Sequence, residues 1–201
     1  MRNYCENCIE YVTYTVQGKP PNQKAFCNVC FHEMFVQKVK QENSQFKEDK
    51  IYVFDESLKE SEQYERELDD YYGHYYQIEK VSMELQHKGI DRIFTKKDGK
   101  KIFVEYKSDK LTKTTNNVFI ETISNSETHS EGWAVKSQSE YIFYYCIGIG
   151  IFVAQTEDIR RKLPEWIEKY PLKSCKNDKY LSYGRLVPLE EFKKISRTFN
   201  Y

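Results

Sequence analysis

The stretch Ile90-Asp91-Arg92-Ile93-Phe94-Thr95-Lys96-Lys97-Asp98-Gly99-Lys100-Lys101-Ile102-Phe103-Val104-Glu105-Tyr106-Lys107 decides the fold. Ile90 to Phe94 reads as a short strand. Lys97-Asp98-Gly99-Lys100 is a hairpin turn, with Asp-Gly at its centre. Lys101 to Lys107 returns as the partner strand. Side chains alternate along a strand, so Ile102, Val104 and Tyr106 take one face and Phe103, Glu105 and Lys107 the other. Glu105 and Lys107 thus emerge side by side near the strand end, and Asp91 comes from across the hairpin. Two carboxylates and an amine can converge on one spot.

Upstream, Tyr75 to Lys88 predicts a helix, with Ile78, Val81, Met83 and Leu85 apolar and Gly89 placed as a C-terminal stop. Before it, Asp55 to Asp70 is crowded with acids against Lys59 and Arg66, which predicts a linker helix with a solvated face. Downstream, Asn116 to Ser124 reads as a third strand. Glu121 on it either faces the cleft or lies on the strand's polar side. Ser124 to Glu131 is a polar loop ended by Gly132-Trp133, and Trp133 is read as a core plug before a base-stacking ring. Lys136 to Tyr141 opens a helix with Ser137 as cap. Ile147 to Ala154 is a buried strand, Thr156 to Lys169 a helix, Ser182 to Val187 a last strand and Pro188 to Ile195 a closing helix. Strands alternating with helices predict an α/β sandwich.

At the N-terminus, Cys5 and Cys8 form one C-x2-C pair and Cys27 and Cys30 a second. Each such turn points two thiolates at one ion, and an intervening hairpin brings the pairs together; Lys19-Pro20-Pro21-Asn22 supplies its turn. The spacing predicts a four-cysteine zinc ribbon over 1–35, with two disulfides or an iron–sulfur cluster as minor alternatives. With every ligand a cysteine, the zinc is structural, and it stabilises a segment too short to hold a core alone. A short helix from Phe31 to Gln45 would leave the ribbon, a linker or helix occupies 36–60, and the main domain spans 61–201.

The helix, the Asp91 strand, the turn and Glu105-x-Lys107 together resemble the PD-(D/E)XK nuclease superfamily. The resemblance covers roughly residues 75 to 145. It departs from the pattern at Ile90, where a proline would stand, and at Tyr106, larger than the usual small aliphatic. What it implies is a restriction-endonuclease-like mixed sheet flanked by helices. It implies Mg²⁺ or Mn²⁺ held by Asp91, Glu105 and the main-chain carbonyl of Tyr106, hard oxygen ligands that suit such ions. Lys107 would orient the attacking water or stabilise developing charge. The family's helix acid falls on Glu79, with Glu84 as rival, and Glu121, Lys136 and Gln138 are auxiliary candidates. Taken alone, Glu105-x-Lys107 would be an ion pair on an exposed strand.

The expected activity is therefore metal-dependent hydrolysis of phosphodiester bonds, in DNA before RNA. The alternative is a catalytically idle module that binds nucleic acid or protein. Thirty-one basic and thirty-one acidic residues cancel, so no global field favours a polyanion, and any phosphate-binding face is local. Lys96, Lys97, Lys100, Lys101, Lys110 and Lys113 either form such a rim or serve hairpin solubility. Tyr, Phe and Trp make up 15% of the chain, enough large apolar surface to exclude disorder. The first residues show no secretory signal. The longest apolar run, Tyr141 to Ala154, is shorter than the roughly 20 residues of a membrane span. A soluble, intracellular, cytoplasmic protein is expected, with a homodimer if both strands of a duplex are cut.

Overall fold

The computed structural model describes residues 2–5, 10–17, 24–29, 33–34, 54–177 and 180–199. In chain order, β1 (Arg2–Cys5), β2 (Glu10–Gln17), β3 (Lys24–Cys27) and β4 (Glu33–Met34) form an antiparallel sheet in that sequence. Next come α1 (Phe54–Gly73), β5 (Gln77–Lys80), α2 (Met83–His87), β6 (Arg92–Thr95) and β7 (Lys101–Asp109). They are followed by α3 (Thr112–Thr115), β8 (Asn117–Asn125), β9 (Ser130–Glu131), α4 (Trp133–Lys136), β10 (Tyr141–Cys146) and β11 (Gly150–Gln155). The chain continues through α5 (Thr156–Lys169), β12 (Leu172–Lys176), β13 (Leu181–Pro188), α6 (Leu189–Lys193) and β14 (Ser196–Phe199).

The architecture is α/β. A mixed six-stranded sheet runs β14-β11-β10-β7-β6-β5. β5, β6 and β7 form an antiparallel meander, while β10 lies parallel to β7. A parallel neighbour demands a crossover, and here that crossover holds α3, β8, β9 and α4. It carries β8 out of the first sheet and into a second one, ordered β12-β13-β8-β9. The third strand read from Asn116 to Ser124 therefore exists, but it belongs to the second sheet and packs its buried side chains against β10 and β11 instead of extending the hairpin.

Alternation along the central strands separates two cores. Leu68 and Tyr72 of α1 bury against Phe94, Val104, Tyr106, Phe143, Tyr145 and Ile151. On the other face, Ile142, Tyr144, Phe152 and Ala154 meet Val118, Ile120 and Val187 of the second sheet and Ile159, Leu163 and Trp166 of α5. The face assignment read for Ile102, Val104 and Tyr106 holds, since all three lie on the α1 side.

Four local expectations change. Tyr75 to Lys88 is not one helix but the edge strand β5 and the short α2. Ile78 pairs with Phe94, and this sheet pairing overrides the helical spacing. Gly89 does end α2, with φ of +73°. Residues 137–139 are irregular, not helical; Ser137 caps the end of α4, and Tyr141 already lies in β10. The acidic helix is docked and not merely solvated, and the boundary drawn at residue 60 falls inside α1. Of the helix expected over Phe31–Gln45, only Glu33–Met34 are described, as strand, and the rest lies outside the described residues. Among the described residues no helix is long and apolar enough to cross a membrane.

Candidate active site

The β6–β7 hairpin forms as read, with Thr95 opposite Lys101, Ile93 opposite Phe103 and Arg92 opposite Val104. Gly99, at φ of +82°, closes its turn by donating its N–H to the Lys96 carbonyl at 2.9 Å. At the other end the ladder is finished by a side chain. The Asp91 N–H donates to the Val104 carbonyl at 2.8 Å, and the Tyr106 N–H donates to Asp91 Oδ2 at 2.8 Å. One carboxylate oxygen thus replaces a strand carbonyl and pins Asp91 beside Glu105.

N–H and C=O of one strand residue leave on the same edge. The Tyr106 carbonyl therefore points to the β6 side, past the last strand pair, into the notch that Asp91 borders. Its ring lies on the opposite face, where the hydroxyl donates to Asp69 Oδ1 at 3.0 Å.

Glu105 is 3% exposed. Its Oε1 lies 2.7 Å from Lys107 Nζ, while its Oε2 is buried without a hydrogen-bond partner. Gly89 passes so near that a Cβ there would sit 2.9 Å from Glu105 Oε2 and 2.8 Å from Ser137 Cα. A side chain at 89 would fill the space beside the orphan oxygen. The loop is held from behind by hydroxyls: Ser137 Oγ donates to the Gly89 carbonyl at 2.9 Å and shares a 2.9 Å bond with Ser139 Oγ, which reaches Thr156 Oγ1 at 3.1 Å. The Ser137-x-Ser139 pattern was the available signal for this clamp. Locally Ser137 reads as a helix cap, because the partner carbonyl, that of Gly89, belongs to a distant segment.

Burial works to lower the Lys107 pKa, but Glu105, Asp91 and Glu121 outweigh it and hold the ammonium above its ordinary range. Glu121 therefore faces the cleft from β8. Its own carboxyl is raised, first by burial and also by Glu105, against the opposing effects of Lys107, the Trp133 N–H and Lys136. Lys136 joins the cluster from the end of α4. Gln138 is exposed and touches the surroundings through its main chain, its N–H donating to the Lys88 carbonyl at 2.8 Å. Trp133 is 5% exposed and packs beside Tyr144, a core residue as read.

The helix acid needs correction. Glu79 sits exposed on β5 opposite Ile93, on the face of Asp91 but two strands from Glu105. Glu84 is on α2, yet it is exposed and bonded to Lys88 at 2.7 Å, which holds its carboxyl below the ordinary range. The turn lysines lie at the opposite end of the hairpin from Asp91, and Lys110 pairs with Glu60.

Two carboxylates and one main-chain carbonyl, hard donors all, fit a small divalent cation. The buried Glu105 oxygen without a proton donor is the atom that such an ion would satisfy. Among the described residues no three His, Cys, Asp or Glu side chains close on one point. For the predicted zinc site, Cys8 and Cys30 lie outside the described residues, and Cys5 is described in backbone only. Cys27 is buried, and its Sγ accepts the Val29 N–H at 3.3 Å. Comparison with family models, curated proteins and solved structures finds no match for this chain.

Proposed function

We propose that the chain is a metal-dependent nuclease that hydrolyses phosphodiester bonds, in DNA before RNA. The observation that carries this reading is the buried Glu105 carboxylate, with one oxygen on Lys107 and the other left without a partner beside Gly89. Asp91, Glu105 and the Tyr106 carbonyl would hold Mg²⁺ or Mn²⁺. When bound, such an ion acidifies water and neutralises charge on a phosphate. Lys107, partly exposed and kept cationic by its carboxylate neighbours, donates hydrogen bonds to a phosphate oxygen at the cleft. Lys136 adds a second positive charge from α4, and Glu121 balances both. The meander carrying Asp91 and the E-x-K strand, with a parallel strand beyond it, also accords with the resemblance to the PD-(D/E)XK superfamily.

A structural zinc ribbon completes the proposal. β1 and β3 run in the same direction on either side of β2, and each ends on the first cysteine of its C-x2-C pair. The Val29 N–H on Cys27 Sγ is a donor of the kind that orients a thiolate ligand.

The test is a cleavage assay on duplex, single-stranded and branched DNA, and on RNA, with Mg²⁺ or Mn²⁺. Wild type should cut, EDTA should stop it, and Asp91→Ala, Glu105→Gln and Lys107→Ala should each lower the rate by about 100-fold or more while the circular dichroism stays native. Equal cutting by wild type and all three variants would sink the assignment.

A further inference from the structure

On the α1 face of the six-stranded sheet, away from the carboxylate cluster, a cavity of about 770 Å³ opens between the end of α1, the β6–β7 turn and β14. Its volume lies within the ~300–1,000 Å³ usual for small-molecule sites. Its walls are flat rings. Tyr76 stacks near Phe94 with centroids 5.1 Å apart, Tyr72 meets Phe143 at 4.8 Å, and Tyr75 stands at the mouth with 62% of its surface exposed. Tyr72 is 4% exposed, yet its hydroxyl has no hydrogen-bond partner. That hydroxyl is itself closed off from the surface, so what Tyr72 offers a guest is its ring and not its hydroxyl.

The rim carries the second half of the argument. Lys96 and Arg197 line the opening, and neither has an ion-pair partner among the described residues. The other charged lining groups are already answered, Lys194 by Glu191 at 2.8 Å and Asp158 by Arg161. Aromatic walls alone would also suit a quaternary ammonium, but two uncompensated cations at the mouth repel one. They attract an anion attached to a flat ring.

We propose that this cavity binds a nucleotide, its base against Tyr75 and Tyr76 and its phosphate at Lys96 and Arg197. Base stacking on aromatic rings beside cationic phosphate contacts is how unpaired nucleotides are held. The guest comes either as a free nucleotide or as an unpaired nucleotide of a strand. The site stands apart from the nuclease reading, since Asp91, Glu105 and Lys107 do not line it.

The experiment uses the full chain in EDTA, so no cleavage intervenes. AMP and ATP are titrated by calorimetry, and fluorescein-labelled single-stranded oligothymidylate and oligoadenylate by anisotropy. Tyr75→Ala and Arg197→Glu alter exposed side chains and should keep the wild-type melting temperature. Saturable binding that each variant weakens by about tenfold or more supports the site. Binding of AMP or ATP alone assigns a free nucleotide, and binding of oligonucleotides alone assigns a strand. No saturable binding of any probe, or affinities that both variants leave within about twofold, overturns it.

Discussion

Glu121 shows how a single residue reports on the whole cleft. Burial is the main reason its carboxyl is raised from 4.5, with Glu105 adding to it, while Lys107, the Trp133 N–H and Lys136 pull the other way. A raised carboxyl means that the folded protein holds this proton more tightly than the unfolded chain. The resulting stabilisation is complete below the unfolded value near 4.5 and is lost as pH climbs through the raised folded value. Glu121→Gln keeps an acceptor for the Trp133 N–H but cannot ionise. In EDTA, the variant's melting temperature should therefore decline less than wild type's between acid and neutral pH. Parallel melting curves for the two proteins would show that Glu121 does not feel the cluster. The alternation of β8 alone left both faces open to Glu121, because the choice depends on a second sheet that no local pattern announces.

At the scale of elements, α1 is fixed to the sheet by charge as well as by rings. The Arg92 side chain is 3% exposed, and it donates to Asp69 through Nε and Nη2 at 2.9 Å and to Glu65 at 2.9 Å. Glu65 and Asp69 stand one helical turn apart and so present both carboxylates to one guanidinium. The Tyr106 hydroxyl adds a third donor to Asp69. Asp69→Ala leaves a buried cation short of its main partner and should cost about 3–5 kcal/mol, seen as a lower urea midpoint. Cleavage per folded molecule should persist, since Asp69 lies across the sheet from Glu105. An unchanged midpoint would mean that α1 is held by its aromatic contacts alone. The composition of 55–70 could not reveal this docking, because the partner is one arginine in a strand that otherwise reads as apolar. The hairpin was legible for the opposite reason: its turn, its alternation and its three polar site groups all lie within one short stretch. Where a strand's partner lies beyond its own local pattern, as for β5 with β6, the helical spacing of Ile78, Val81 and Leu85 points the wrong way.

Across the whole molecule, the N-terminal sheet and the second sheet meet at a buried guanidinium. Arg185 is 2% exposed, and its described partners are neutral: Nη2 donates to Asn28 Oδ1 and Nη1 to the Tyr170 carbonyl, each at 3.2 Å, while Nε has none. Burial pulls its pKa down to about 10. Phe26 packs beside Tyr183 at 6.0 Å along the same seam. Asn28 belongs to the C-x2-C turn between Cys27 and Cys30, so whatever shapes that turn also positions Arg185's partner. If zinc shapes it, metal loading and the stability of the α/β domain are linked. Wild type should carry about one zinc per chain, and Cys27→Ser should lose it and melt earlier throughout, α/β domain included. Asn28→Ala separates the two effects. It keeps the cysteines and hence the zinc, but leaves a buried charged group short of a partner, at a cost of about 1–3 kcal/mol. Elemental analysis and calorimetric melting of the three proteins give the answer. Zinc retained with an unchanged melting temperature in Asn28→Ala would show that the seam carries no coupling, whereas zinc absent from wild type would remove the ribbon from the proposal and leave the carboxylate site untouched.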